Sequence, residues 1–186
     1  MILPPRGPSR VYAAMTFFDS LVPGIMLAGA VLYFTEVVHL GAVQVGSGLS
    51  VAALAGVAAA LPAGRLGDRI GHRRLLIGIS LLRAVILGAY QVVGSYPVFL
   101  TVACLAGLAE SGVAPVRQAY LGTITTPNNR VTTLAFNRVV RNIGATLSTP
   151  ALGVALAVDS PAAFRTLIAA GAVSVLVVTL IAIRLP

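Results

Sequence analysis

The chain has 186 residues, 58% of them hydrophobic and only 10% charged, with a mean hydropathy of +0.95. A soluble domain carries about a quarter charged residues to keep its surface in water, so that class is excluded, and with it catalysis on a separate water-facing domain. Thirteen basic against five acidic side chains give a net charge of +8, which in a membrane chain calls for no nucleic acid, only for the basic bias of cytoplasmic loops.

Apolar runs between charge and turn clusters predict an all-α integral membrane protein with six spanning helices. They lie at about 11–35, 41–63, 75–94, 97–121, 131–157 and 162–184, given the roughly 20 residues a span requires. The first follows Pro4, Pro5, Arg6, Pro8 and Arg10. That basic start is like a signal peptide's, but the apolar stretch behind it is too long and lacks a small-residue cleavage site, so it reads as an uncleaved span. The second is rich in Gly46, Gly48, Ala52, Gly56 and Ala60, small residues that let helix backbones approach closely in lipid. The third contains Arg83. The fourth holds Glu110 and the single cysteine, Cys104, which reads as a small buried hydrophobe. The fifth opens with Asn137, Arg138, Arg141 and Asn142 at helical spacing, and the sixth is apolar up to Arg184. Pro23, Pro62, Pro115 and Pro150 interrupt or end spans, each leaving a carbonyl for a neighbour or cavity water to satisfy.

The arginines set the expected orientation. Arg6 and Arg10 precede span 1, Arg65, Arg69, Arg73 and Arg74 lie between spans 2 and 3, Arg117 and Arg130 flank the connection from 4 to 5, and Arg184 ends span 6. All four places fall on one side, which is therefore cytoplasmic, with both termini there. The opposite connections hold Glu36 and His39, then Gly94 to Pro97, then Asp159 and Arg165. Tyrosines agree, with Tyr12 and Tyr120 near the inner boundary and Tyr33, Tyr90 and Tyr96 near the outer one, where an amphipathic ring is stable. The expected place is the cell membrane, as a multi-pass protein among lipid.

Between spans 2 and 3 stands Gly64-Arg65-Leu66-Gly67-Asp68-Arg69-Ile70-Gly71-His72-Arg73-Arg74. Topogenesis accounts for its charge, but three glycines around one carboxylate call for a tight turn that holds Asp68 among arginines. The run closely resembles the cytoplasmic signature of the major facilitator superfamily, G-x-L-[AG]-D-R-x-G-R-[RK], with His72 in place of a basic residue. The resemblance implies the N-terminal half of that fold, a six-helix bundle built from two inverted three-helix repeats. It implies a gating loop in which Gly64 and Gly71 shape the turn and Asp68 joins a charge network with Arg69 and Arg73. It also implies a second six-helix bundle, as a missing half or as a second copy. Span 5, with Asn142, Gly144, Ser148, Pro150 and Gly153, is similar to a weakened form of the glycine-rich signature of drug and proton antiporters, and Pro115-Val116-Arg117 is similar to multidrug-type members.

Asp19, Arg83 and Glu110 lie inside spans, where an ionised group costs about 2.5–3.5 kcal/mol or more and is functional by default. At 1.5 Å per residue, Asp19 and Arg83 sit about 12 Å from the cytoplasmic end and Glu110 about 16 Å. One arginine neutralises one carboxylate, so the other is expected to be unpaired, and an unpaired buried carboxylate favours its protonated form. That is what a proton-coupled carrier needs, although ion pairs also settle helix packing. In the family helices one and four line the central cavity, which assigns Asp19 and Glu110 to coupling or substrate and Arg83 to support. Arg141 and Asn142 are either an inner anchor of snorkelling arginine, or deep enough to meet an anionic group or Glu110.

The expected function is transport of a small molecule by alternating access, as proton-coupled efflux, with protons and substrate as ligands and no cofactor or metal. A non-transporting receptor or remnant half-transporter is the alternative. A membrane-embedded enzyme is disfavoured, because His39 and His72 sit in loops on opposite faces and no H-E-x-x-H occurs.

Overall fold

Residues 8–125, 127–158 and 160–185 are described by the computed structural model; Arg6 and Asp159, which entered the orientation argument, lie outside them. The described residues form six α-helices: α1 (Pro8–Leu32), α2 (Ala42–Ile70), α3 (His72–Tyr90), α4 (Tyr96–Ile124), α5 (Pro127–Val158) and α6 (Pro161–Arg184). A turn of π-helix, Tyr33–Val37, carries α1 into its connection with α2.

Local chemistry starts these helices. Gln44 Oε1 accepts from the Gly41 backbone N–H at 3.0 Å at the start of α2. Pro97 stands in the first turn of α4 and Pro161 in that of α6, where a missing N–H leaves nothing unbonded. Ser160 caps α6, its Oγ accepting from the Ala163 N–H at 3.2 Å.

The run from Gly64 to Arg74 is not the glycine-shaped loop its composition suggests. Helix α2 continues through Gly64 and Gly67 to Ile70, and α3 begins at His72, so the whole reversal is made at Gly71. Its φ of 91° is backbone that a side chain disfavours, which is why one glycine suffices and the other two remain helical.

Packing follows an internal symmetry. Helix α2 packs on α4 as α5 packs on α1, α3 lies on α4 as α6 lies on α1, and α3 and α6 pack on each other, whereas α2 with α3 and α5 with α6 touch only sparingly. Exchanging α1–α3 with α4–α6 maps this pattern onto itself, the relation an inverted pair of three-helix repeats requires. Both related crossings are close enough to demand glycine. A Cβ on Gly107 would run into the backbone of Ala52, and one on Gly144 would meet Ser20 Oγ and lie 2.9 Å from the Phe17 carbonyl oxygen.

Two large apolar cores fill the bundle, beside a small cluster of Ile25, Ala155 and Leu167. One, towards the Tyr33 end, gathers Tyr33, Phe34, Tyr90, Phe99, Phe164 and Val175. The other, towards the Gly71 end, gathers Tyr12, Met15, Leu76, Val116, Tyr120 and Ala182. Among the described residues three helical stretches are long and apolar enough to cross a membrane, Ala42–Ala60 of α2, Tyr96–Ile124 (α4) and Pro161–Arg184 (α6). Helices α3 and α5 carry three arginines each, Arg73, Arg74 and Arg83 against Arg130, Arg138 and Arg141, which sets them apart from those three.

Candidate functional site

Between the two cores runs a charged seam. On α1 the apolar contacts stop at Phe18 and resume at Val22, on α3 they stop at Ile79 and resume at Ala84, and on α4 they pass from Ala109 to Val113. Asp19, Arg83 and Glu110 occupy those gaps. The depths counted along the sequence correspond to one physical layer, because Arg83 touches both acids. Its Nη1 donates to Asp19 Oδ1 at 2.5 Å, and its Nε lies 2.9 Å from Glu110 Oε2.

The expectation of one unpaired carboxylate is overturned by this geometry. Arg83 serves both acids, and a second guanidinium, Arg117, also donates through Nη1 to Asp19 Oδ2. Two arginines and two carboxylates leave the cluster neutral. Sequence reasoning placed Arg117 at the cytoplasmic flank of the connection from span 4 to span 5 and so missed its partner. The signal was present: Arg117 follows Glu110 by two helical turns on the same face of α4, and Tyr12, Thr16 and Asp19 form the matching stripe on α1.

That stripe holds Arg117 in place. Its Nη2 donates to Thr16 Oγ1 at 2.8 Å, the Tyr12 hydroxyl donates to the Arg117 carbonyl oxygen at 3.3 Å, and the guanidinium carbon stands 5.7 Å from the centre of the Tyr12 ring. Thr16 in turn donates to the Tyr12 carbonyl oxygen at 2.9 Å. Exposure then sorts the four charges. Asp19 and Arg83 are 7% and 4% exposed, whereas the Glu110 side chain is 57% exposed. Glu110 is the member that an incoming proton or ligand reaches without parting the helices. The Arg83 Nη2 is buried with no partner among the described residues, so this guanidinium retains one unused donor.

The turn at Gly71 forms a separate group at its own end of the bundle. Asp68 lies beside His72, with Oδ1 to Nε2 at 3.4 Å, rather than between Arg69 and Arg73. Arg73 reaches across to α6, where its Nη2 donates to the Ile183 carbonyl oxygen at 2.6 Å and satisfies a carbonyl in the last turn. Arg69 and Arg74 are exposed.

On α5 the polar group read as one unit divides. Asn137 is 8% exposed and faces inward with Thr133, its Nδ2 donating to the Thr133 carbonyl oxygen at 2.9 Å. Arg138, Arg141 and Asn142 turn outward and are exposed. Glu110 therefore meets Arg83, not Arg141 or Asn142. Because Gly144 packs against Ser20 and Phe17, Arg141 and Asn142 nevertheless stand close to the depth of Asp19, on the open side of α5. Among the described residues no group of three His, Cys, Asp or Glu side chains could hold a metal ion.

The sequence profile of the Major Facilitator Superfamily matches residues 12–186. Among solved structures the chain is similar to the nucleoside transporter NupG (D323A mutant), with TM-score 0.81, 16% identity, and coverage of 97% of this chain and 44% of that one. It is also similar to a bacterial homologue of the iron transporter ferroportin in an outward-facing state with soaked iron, with TM-score 0.73, 19% identity, and coverage of 96% and 46%. The chain thus spans less than half the length of each, and at these identities the likeness is one of fold. No curated protein sequence matches it.

Proposed function

The chain belongs to the major facilitator superfamily, a family of membrane transporters, and on that premise we propose that it is the N-terminal bundle of a proton-coupled exporter of a small molecule. The observation that carries this reading is the neutral cluster of Asp19, Arg83, Glu110 and Arg117 in a seam between two apolar cores, with only Glu110 open to the outside. Ionisable groups at membrane depth mark ion and substrate paths. Protonating Glu110 removes its attraction for Arg83, which keeps Asp19, so α4 loses its ion pair with α3 while Arg117 still pairs it with α1. A proton thereby loosens one helix contact and leaves the other intact, which is the kind of bias a two-state carrier needs.

All six helices cross the membrane in this reading, with the Gly71 end and both termini in the cytoplasm of a cell-membrane protein. The sparse charge of α6 and the arginines at the Gly71 end favour it. A second six-helix bundle, a further segment or a second copy, completes the path, and substrate crosses as the two bundles rock about a site near the midplane. The exposed faces of α2 and α5 are the surfaces this reading gives to that bundle, since each of these two helices packs closely on a single neighbour, α4 and α1 respectively. Outward transport rests on the weakened antiporter-like pattern of α5. Within it, Gly144 has a packing role of its own at the α1 crossing.

The test is the Glu110→Gln variant in everted membrane vesicles carrying the chain and its partner bundle. With an imposed pH gradient followed by a pH-sensitive dye, small molecules that release protons from wild-type vesicles should release none from the variant, while exchange of labelled substrate without a gradient persists. Proton release at wild-type rates in Glu110→Gln rejects Glu110 as the coupling group.

A further inference from the structure

The exposed surface of α5 has two different sides. Its buried side, Thr133, Asn137, Gly144, Ser148 and Ala155, is turned inward. Next to it on one flank stand Arg138, Asn142, Thr146 and Thr149, three or four residues apart on one stripe of the helix, with Arg141, adjacent to Asn142, between that stripe and the buried side; all five are exposed. On the other flank the exposed residues are Val139, Ile143, Leu147 and Val154. One outward flank is therefore polar along about 16 Å, at 1.5 Å per residue, and the other is apolar.

A stripe of this kind has no place against hydrocarbon. Arg138 can bend back towards the Gly71 end and reach headgroups, since helix side chains lean towards the N-terminus. Asn142 and Thr146 cannot, because their side chains are short and they lie deeper, whereas Thr149 is satisfied within the helix, its Oγ1 donating to the Ala145 carbonyl oxygen at 3.3 Å. Nor does the repeat architecture require polarity here. Counting from the glycine at each crossing, Gly56 on α2 and Gly144 on α5, the α2 positions matching Arg141, Asn142 and Thr146 are Ala53, Leu54 and Ala58, all exposed and apolar or small. The two helices pack alike, on α4 and α1 respectively, and on this flank α2 carries no charge, Ser50 standing where α5 has Arg138.

Charge gives the stripe its chemistry. The seam of Asp19, Arg83, Glu110 and Arg117 is internally neutral. Arg138 and Arg141 have no ion-pair partner among the described residues, so they add two uncompensated positive charges to the same half of the bundle. We infer that this flank of α5 is one wall of the translocation path and that it takes the anionic group of a small organic anion, a carboxylate or a phosphate monoester. Arg141 and Asn142 contact that group, and Thr146 continues the hydrogen-bonding surface towards the Tyr33 end. The inference rests on the transport reading, but not on the proton-coupling role of Glu110.

The test is charge-selective thiol labelling of the chain in native membrane vesicles, with Cys104→Ser removing the only native thiol. Thr146→Cys, with Thr149→Cys as a second position should the first fold poorly, is treated with anionic methanethiosulfonate ethylsulfonate and with its cationic trimethylammonium counterpart. Val92→Cys, 80% exposed in a connection, gives the reference ratio of the two rates. The anionic-to-cationic ratio at position 146 should exceed the reference about tenfold, fall back to it in Arg138→Gln/Arg141→Gln, and drop on adding benzoate but not benzylamine. Ile143→Cys and Leu147→Cys should be inert to both reagents. A thiol at 146 and 149 that neither reagent modifies, or one the cationic reagent modifies faster, overturns the inference. Either result leaves the Glu110→Gln test untouched, since that test reads proton release and not ligand charge.

Discussion

Replacing Asp19 with asparagine is the perturbation with the largest structural consequence. One carboxylate, 7% exposed, accepts from two guanidiniums on two other helices, Arg83 of α3 and Arg117 of α4. Asparagine keeps one acceptor oxygen and turns an N–H2 towards the other arginine, so one buried cation loses its partner and faces a donor. Removing one member of a buried ion pair destabilises by about 3–5 kcal/mol. Arg83 keeps Glu110 and Arg117 keeps Thr16, which holds the expected loss for Asp19→Asn to about 3 kcal/mol, the low end of that range. Adding Arg83→Leu removes the stranded cation, so the double variant should be more stable than the sum of the single losses implies, by about 0.5–3 kcal/mol of coupling. Glu110→Gln, with its side chain 57% exposed, should cost no more than about 1 kcal/mol. Unfolding of the purified chain in mixed micelles with increasing dodecyl sulfate, followed by far-ultraviolet circular dichroism, reads all four free energies. Strictly additive losses for Asp19→Asn and Arg83→Leu, or an Asp19→Asn loss no larger than that of Glu110→Gln, would refute the shared-carboxylate arrangement.

The close crossing of α2 and α4 predicts that Gly107→Ala loses about 1–3 kcal/mol, because the new methyl meets the backbone of Ala52 and not a movable side chain; an unchanged melting temperature in detergent contradicts it. Gly71→Ala should lose about 1–3 kcal/mol from the positive φ alone, with no contact at that position to add to the strain. Gly64→Ala, helical and with open space at its Cβ, should melt at or above the wild-type temperature, and an equal loss in both variants defeats the single-glycine turn. For orientation, single-cysteine variants at His72 and Tyr96 in a Cys104→Ser chain should react with a membrane-impermeant maleimide from the cytoplasmic and the outer side respectively, and reversed labelling inverts the assignment of the Gly71 end.

How much could be read before the structure depended on whether a feature is local or shared between helices. Apolar runs are local, and α-helices stand where each of them falls. Turn chemistry is local too, yet it misled at Gly64 and Gly67: their composition suggested a loop, but a glycine inside a helix that packs on its neighbours is tolerated, and only Gly71 has the dihedral that ends one. Helical depth counting placed Asp19, Arg83 and Glu110 in one layer, and their mutual distances agree, because a rise of about 1.5 Å per residue holds along any regular helix. Partner choice was not legible in the same way. Arg117 lies within four residues of the predicted end of its span, and counting arginines to orient loops gave it a topological role. Its actual partner lies on α1, 98 residues away in sequence. The same limit applies to α5. Helical spacing grouped Asn137 with Arg138, Arg141 and Asn142, but a rotation of 100° per residue turns Asn137 inwards and Arg138 out, and only the position of α1 decides which of the two is buried. Charge in a membrane chain is thus visible in sequence as depth, while its pairing depends on azimuth, which one helix's sequence does not specify until its neighbours are in place.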